Sequence, residues 1–268
     1  MGNLITFWSP YKGKAKVTSS LCAIAGMFGV QFPEWNVAIC DTQQESMVLM
    51  EKLIPKGYDG EKREWYRKSG MSALKVNYRQ TMLTSEKIRH SAIPLVMHSL
   101  YLYPNMEQGT DELTFQLITE VLKKEFDFVF LDAGNGVQEN SLRYLRASDL
   151  VVMVLPQEPD CWSLSREQSM PYLEGKKICV LMNGFLKNSR YGRMLCAKLK
   201  EWKLVKGQIT TMPINTGFFD AMWEGRTLDF FYKNQNVRKK EENYEFILQT
   251  KKAARAIKNS LDISGTKG

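Results

Sequence analysis

Seven short apolar runs bounded by turn or polar residues punctuate the chain: LITFW (4–8), NVAIC (36–40), SLYLY (99–103), FVFL (128–131), LVVMVL (150–155), ICVLM (178–182) and ITTMP (209–213). Helix-length segments separate most of them. Continuous runs rich in β-branched residues suit strands covered on both faces, and their alternation with helices predicts an α/β fold: a three-layer sandwich with a mainly parallel sheet. In such a sheet ligands bind beyond the carboxyl ends of the strands. The loop over residues 9–18, Asp41, Asp132 and Asn183 all fall there.

The helical segments carry their own signals. Leu21, Ile24, Ala25 and Phe28 predict a helix from Ser19 to about Phe28 with one face on the sheet. A second, over 110–124, opens with Asp111 and Glu112 and closes with Lys123 and Lys124, matching the helix dipole. The last, over 241–261, puts Tyr244, Ile247, Leu248, Ala254, Ile257 and Leu261 on one stripe and is amphipathic. It is read as a cover for the sheet, because the stripe lacks Trp and holds small alanines; an amphipathic helix lying on a membrane is the alternative. Residues 54–72 are the most polar interior stretch and predict an insertion rather than core.

At 268 residues the chain suffices for one large α/β domain spanning 1–268, and no Pro/Gly/Ser-rich linker divides it. No apolar run approaches the roughly 20 residues that span a bilayer, and no secretory pattern opens the chain, so a cytoplasmic protein is expected. The five cysteines lack metal-ligand spacing and read as reduced thiols. His90 and His98 are the only imidazoles, which leaves little material for a zinc site or a Ser-His-Asp triad. The net charge of +8 is concentrated in residues 51–90 and 226–268, each with ten Lys/Arg against five Asp/Glu. These two regions are either solvated surface or contacts for nucleic acid or an anionic membrane.

Candidate chemistry begins at ITFWSPYKGKAKVTSSLCAIA (5–25), where a strand runs into a Gly- and Lys-bearing turn and then a helix start. That is the outline of a phosphate-binding loop, in which backbone amides and the helix N-terminus cradle phosphate. Laid over G-x-x-x-x-G-K-[ST] with Lys16 as the phosphate lysine, the chain puts Pro10 and Ala15 at the glycines and Val17 at the hydroxyl. Two further strands end in carboxylates, Asp41 in NVAICDTQQES and Asp132 in DFVFLDAGNG, and a third ends at Asn183.

This order of motifs, from about Leu4 to Leu228, resembles the MinD/ParA superfamily of P-loop ATPases, including its CpaE/TadZ branch. The resemblance implies a P-loop NTPase-type sheet, bound ATP or ADP with Mg²⁺, a homodimer, and a protein partner in a positioning or assembly system: chromosome or plasmid partition, division-site placement or pilus localisation. It also implies a location at the inner membrane face for some members, through the C-terminal helix. The family's deviant loop, K-G-G-x-G-K-[ST]-[ST], read onto YKGKAKVTS puts Tyr11 at the signature lysine, Lys12 and Gly13 at the first glycines, Lys14 at the variable place, Ala15 at the third glycine, Lys16 at the phosphate lysine and Val17 at the hydroxyl. Thr18 is the next hydroxyl along, expected on a different face of the helix turn.

Asp41 then resembles the first aspartate of the D-x-D segment, and Gln43 stands at the second, which orients the attacking water. Asp132, with Gly136 closing D-x-x-x-G, resembles the aspartate that reaches Mg²⁺ through water. Asn183, and Pro213 in PINTGFFDAMWEGR, resemble the groups that contact adenine. A positively charged loop without the usual glycines, metal hydroxyl or second carboxylate predicts weak or absent hydrolysis. Two alternatives stay open: an active ATPase in which Lys12 or Lys14, Thr18 and Gln43 substitute, and a nucleotide-independent scaffold using the basic regions. With Tyr11 at the signature lysine, a homodimer through the nucleotide face whose stability depends little on ATP is expected, with Trp8 and Tyr11 as candidate anchors beside Lys12 and Lys14.

Overall fold

The computed structural model describes residues 1–11, 13–42, 47–56, 68–80, 82–96, 98–105, 111–158, 169, 171–192, 194, 197 and 208–261. The elements run β1 (Asn3–Ser9), α1 (Val17–Gln31), β2 (Val37–Asp41), α2 (Met47–Leu53), α3 (Met71–Gln80), α4 (Ser85–Ser91), β3 (Ile93–Val96) and β4 (Leu100–Tyr103). There follow α5 (Glu112–Gln116, a π-helical stretch Leu117–Leu122, then Lys123–Glu125), β5 (Phe128–Asn135), α6 (Glu139–Ala147), β6 (Leu150–Pro156), β7 (Lys177–Phe185), β8 (Ile209–Pro213), α7 (Thr216–Trp223), α8 (Thr227–Asn234) and α9 (Tyr244–Asn259).

The strands form one eight-stranded sheet in the order β3-β4-β2-β5-β1-β6-β7-β8. All neighbours are parallel except β3 and β4. Each of the seven apolar runs is a strand. The eighth, β3, has no such signal, because it is four residues long and contains Pro94, whose missing N–H is tolerated at a sheet edge. Strand order reverses around β1: β2 lies on one side of it, beyond β5, and β6 to β8 lie on the other. A crevice forms at such a reversal, outside the carboxyl ends of the strands.

Alternation along the strands separates the two covered faces. Ile5, Phe7, Phe128, Phe130, Val152 and Leu181 join a cluster with α1, α2, α7, α8 and α9. Leu4, Val129 and Leu131 face α3, α4 and α5, while Trp8, Val151, Met153 and Val180 face α6. Three layers result.

Helix α1 is buried along nearly its whole length, from Val17 to Gly29. Gly26 permits this, since a Cβ there would sit 2.4 Å from the Phe231 ring of α8. Helix α9 buries Phe246, Ile247, Thr250, Ala253, Ala254 and Ile257 against β8 and α1. Its apolar face therefore seals the sheet, which corrects the membrane-surface alternative. Among the described residues no helix is long and apolar enough to cross a membrane.

The insertion expected over 54–72 falls mostly outside the described residues, at 57–67, but Met71 at its end is core. Cys22, Cys40 and Cys179 are free buried thiols, and burial pushes Cys179 up to about 12. The basic regions are less uniform than their composition. Lys75 is 3% exposed and pairs with Asp111 at 3.3 Å, and Arg89 pairs with Glu125 at 2.7 Å while lying over Tyr101, whereas Arg238, Lys239 and Lys240 are exposed.

Candidate functional site

The loop between β1 and α1 opens at the reversal point of the sheet. Gly13 has φ 80°, and Lys16, the residue just before α1, has φ 54° and ψ 50°, a left-handed conformation that disfavours any residue with a Cβ. The Lys16 carbonyl is held by Ser20 N at 3.1 Å and Ser20 Oγ at 3.1 Å. Amides of the first helical turn have no acceptor within the helix. Here that turn also has no side-chain cap and no acidic residue, so the positive end of α1 points into the crevice with its donors available to an anion.

Two carboxylates lie beside this helix start, on adjacent strands and in direct register. Asp132 is 1% exposed. Its Oδ2 accepts the Thr18 hydroxyl at 2.5 Å and its Oδ1 accepts Gly134 N at 2.9 Å. Thr42 donates its N–H and hydroxyl to the Asp132 carbonyl. Asp41 is served less well. Its Oδ1 accepts Asn105 N at 3.4 Å, and its Oδ2 is buried with no donor among the described residues. Burial, and then the neighbouring Asp132 charge, push the Asp41 carboxyl well above the usual carboxylate range. Both effects favour the protonated form of Asp41 over the carboxylate that a general base requires.

Thr18 corrects the expected phase of the loop. It does not turn away from the site; Val17 does, being 1% exposed within the apolar cluster beneath α1. Because α1 begins at Val17 and successive residues rotate by roughly 100°, the second residue of the helix faces the end of β5. Ala15 is likewise buried, while Lys16 is exposed. Lys14 forms an ion pair with Glu158 at 2.9 Å. Lys12 and Gln43 lie outside the described residues.

Asn183, on β7, sends its Nδ2 to Ser20 Oγ at 2.7 Å and to the Lys16 carbonyl at 3.4 Å. Its amide hydrogens are thus engaged by the loop. Pro213 ends β8, paired in register with Phe185. Trp8 is wholly buried and donates Nε1–H to the Gly136 carbonyl at 2.7 Å, and Gly136 N returns to Ser9 O at 2.8 Å. These bonds fasten the turn after β5 onto β1. They also remove Trp8 from the list of surface anchors, while Tyr11 packs half-buried on the same cluster.

The donors present suit a small hard cation carried by phosphates. Mg²⁺ ordinarily takes one or two protein oxygens, several waters and substrate phosphate oxygens, and Thr18 with Asp132 offers a hydroxyl and a carboxylate in contact. Among the described residues no cluster of three or more His, Cys, Asp or Glu is placed to hold a metal by itself. Ser20, Thr42 and Asn105 were not legible as site residues, since each acts through a partner distant in sequence.

No family model matches the chain, and no curated protein matches it by sequence. Solved structures do match in fold. They include the pNOB8 ParA structure (TM-score 0.67, 15% identity, 98% of this chain and 99% of that one) and a plasmid partition protein from Borrelia burgdorferi (TM-score 0.60, 17% identity, 97% and 100%). A third is the septum site-determining protein MinD of Pyrococcus horikoshii OT3, complexed with Mg-ADP (TM-score 0.57, 14% identity, 94% and 95%). The fold is that of the ParA/MinD P-loop NTPases.

Proposed function

We propose that the chain is a nucleotide-binding protein of the MinD/ParA kind, one unit over its whole length, which acts in spatial positioning or assembly and hydrolyses ATP weakly or not at all. The hydrogen bond from Thr18 to Asp132, at the uncapped start of α1, carries this reading. It places cation ligands directly beside helix amides that suit phosphate. When bound, Mg²⁺ would neutralise charge on the β- and γ-phosphates. The plasmid-partition and septum-site roles named for proteins of the same fold support positioning as the process class.

With Thr18 at the hydroxyl place of K-G-G-x-G-K-[ST]-[ST], the loop reads one residue later than the sequence alone suggests. Val17 takes the phosphate-lysine place, Lys16 the preceding glycine place, which its positive φ supports, Gly13 the second place and Lys12 the first. Lys16 then supplies phosphate charge from a neighbouring backbone position, through its flexible stem. Weak turnover follows from two features: an apolar Val17 in the core and a glutamine at 43. Phosphoryl transfer depends on placed charge, and each of these removes one.

Calorimetric titration with ATP and Mg²⁺, with phosphate release followed in the same samples, tests the reading. Saturable binding with little release is expected, and brisk release contradicts it. With Lys12 rather than Tyr11 at the signature place, a homodimer through the loop face would depend on ATP, in contrast to the dimer little dependent on ATP that Tyr11 at that place implies. Light scattering with and without ATP should show the change in mass, and a monomer in both conditions removes the dimer from the account.

A further inference from the structure

Asn183 stands where the family resemblance implies a contact to adenine, yet its amide is turned to the phosphate end of the crevice. Its Nδ2 lies 2.7 Å from Ser20 Oγ, and Ser20 Oγ in turn donates to the Lys16 carbonyl at 3.1 Å. The same Nδ2 lies 3.4 Å from that carbonyl, which also accepts the Ser20 N–H at 3.1 Å. Three donors therefore converge on the carbonyl of Lys16, one of two non-glycine residues with positive φ among the described residues. Such a conformation persists only where its surroundings over-determine it. Asn183 and Ser20 supply that constraint from β7 and α1, 163 residues apart.

We infer that Asn183 is a positioning residue for the phosphate loop, acting through Ser20 and the Lys16 carbonyl, and not a reader of the base. Its effect on a nucleotide is indirect. By fixing the Lys16 peptide it sets the direction of the Val17, Thr18 and Ser19 amides, and it keeps Thr18 in phase with Asp132. Any ligand that uses those amides gains from the lock, whatever base it carries.

This inference rests on the nucleotide-binding reading above, so its test has one arm that needs no ligand. Asn183→Ala, Ser20→Ala and the double variant are compared with wild type. In the first arm, hydrogen exchange of the free protein is followed over residues 16–20. Both single variants should exchange faster there, and the double variant no faster than either single one, because the two side chains form one chain of hydrogen bonds. Unchanged exchange in Asn183→Ala overturns the lock.

In the second arm, ATP, GTP and inorganic tripolyphosphate are titrated. Loss of an ordinary hydrogen bond corresponds to roughly a two- to tenfold change in an equilibrium. Asn183→Ala should weaken all three ligands by a common factor in that range, tripolyphosphate included. Weaker ATP binding with tripolyphosphate unaffected overturns the inference and returns Asn183 to the base. If wild type binds none of the three, the nucleotide-binding reading fails while the exchange arm still decides the lock. Asn183→Ser, shorter but polar, guards against a folding defect: it should fall between wild type and Ala in both arms, and an effect larger than that of Ala counts against the hydrogen-bond account.

Discussion

Replacing Lys16 by glycine should make the protein more stable and a poorer nucleotide binder at once. A residue with a Cβ in the left-handed region costs roughly 1 to 2 kcal/mol, which glycine does not incur. Glycine adds flexibility to the unfolded chain, at a cost of about 0.5 to 1 kcal/mol. Lys16 sits at φ 54° and ψ 50° and is exposed, so no packing is lost. The net gain is then about 0.5 to 1 kcal/mol, a rise in melting temperature of roughly 1 to 3 °C for a chain of this size. Binding should move the other way. A charge-assisted phosphate contact is worth roughly 1.5 to 3 kcal/mol, so ATP affinity should fall at least about tenfold. Lys16→Ala separates the two effects, because it keeps the backbone penalty and loses the ammonium; it should bind as poorly as the glycine variant without its stability gain. Urea denaturation and calorimetric titration of the three proteins read both quantities. A glycine variant less stable than wild type refutes the backbone argument, and unchanged ATP affinity refutes the role of the ammonium.

Asp41 gives a pH prediction. Its carboxyl stays protonated in the folded state well above the ordinary value of 3.8, whereas the unfolded chain releases that proton above about pH 4. The unfolded state then binds fewer protons, so stability is full below that pH and declines as pH rises until the folded Asp41 itself ionises. Asp41→Asn should remove this decline, giving an advantage over wild type that grows as pH rises above the ordinary carboxylate range in urea titrations; a pH-independent difference contradicts it. Thr18→Val keeps the branched shape and deletes the hydroxyl. It should reduce the effect of Mg²⁺ on ADP affinity to less than about twofold, and an effect equal to that in wild type would exclude Thr18 as a cation ligand.

Hydropathy alone was enough to place β1, β2 and β4 to β8, because buried parallel strands are read directly from apolar runs. Pro94 hid β3, whose edge position was not visible in composition. The turn between β1 and α1 was legible, but the residue at which α1 starts was not. Where α1 starts is fixed by the left-handed Lys16 and by burial of Val17, and neither leaves a mark on residue spacing. The upward push on the Asp41 carboxyl comes from burial and from Asp132 across the β2–β5 pair, which a linear pattern cannot show. Asn183 was legible as a strand-end amide, but its partner Ser20 is brought to it only by the packing of α1 on the sheet.

Hydrogen exchange measured with and without ATP and Mg²⁺ tests most directly whether nucleotide sits at the start of α1. The account predicts slower exchange in peptides covering residues 13–20 and 132–136, in wild type and much less in Lys16→Ala. Unchanged exchange over 13–20 at saturating ATP, or protection confined to another part of the chain, would contradict it.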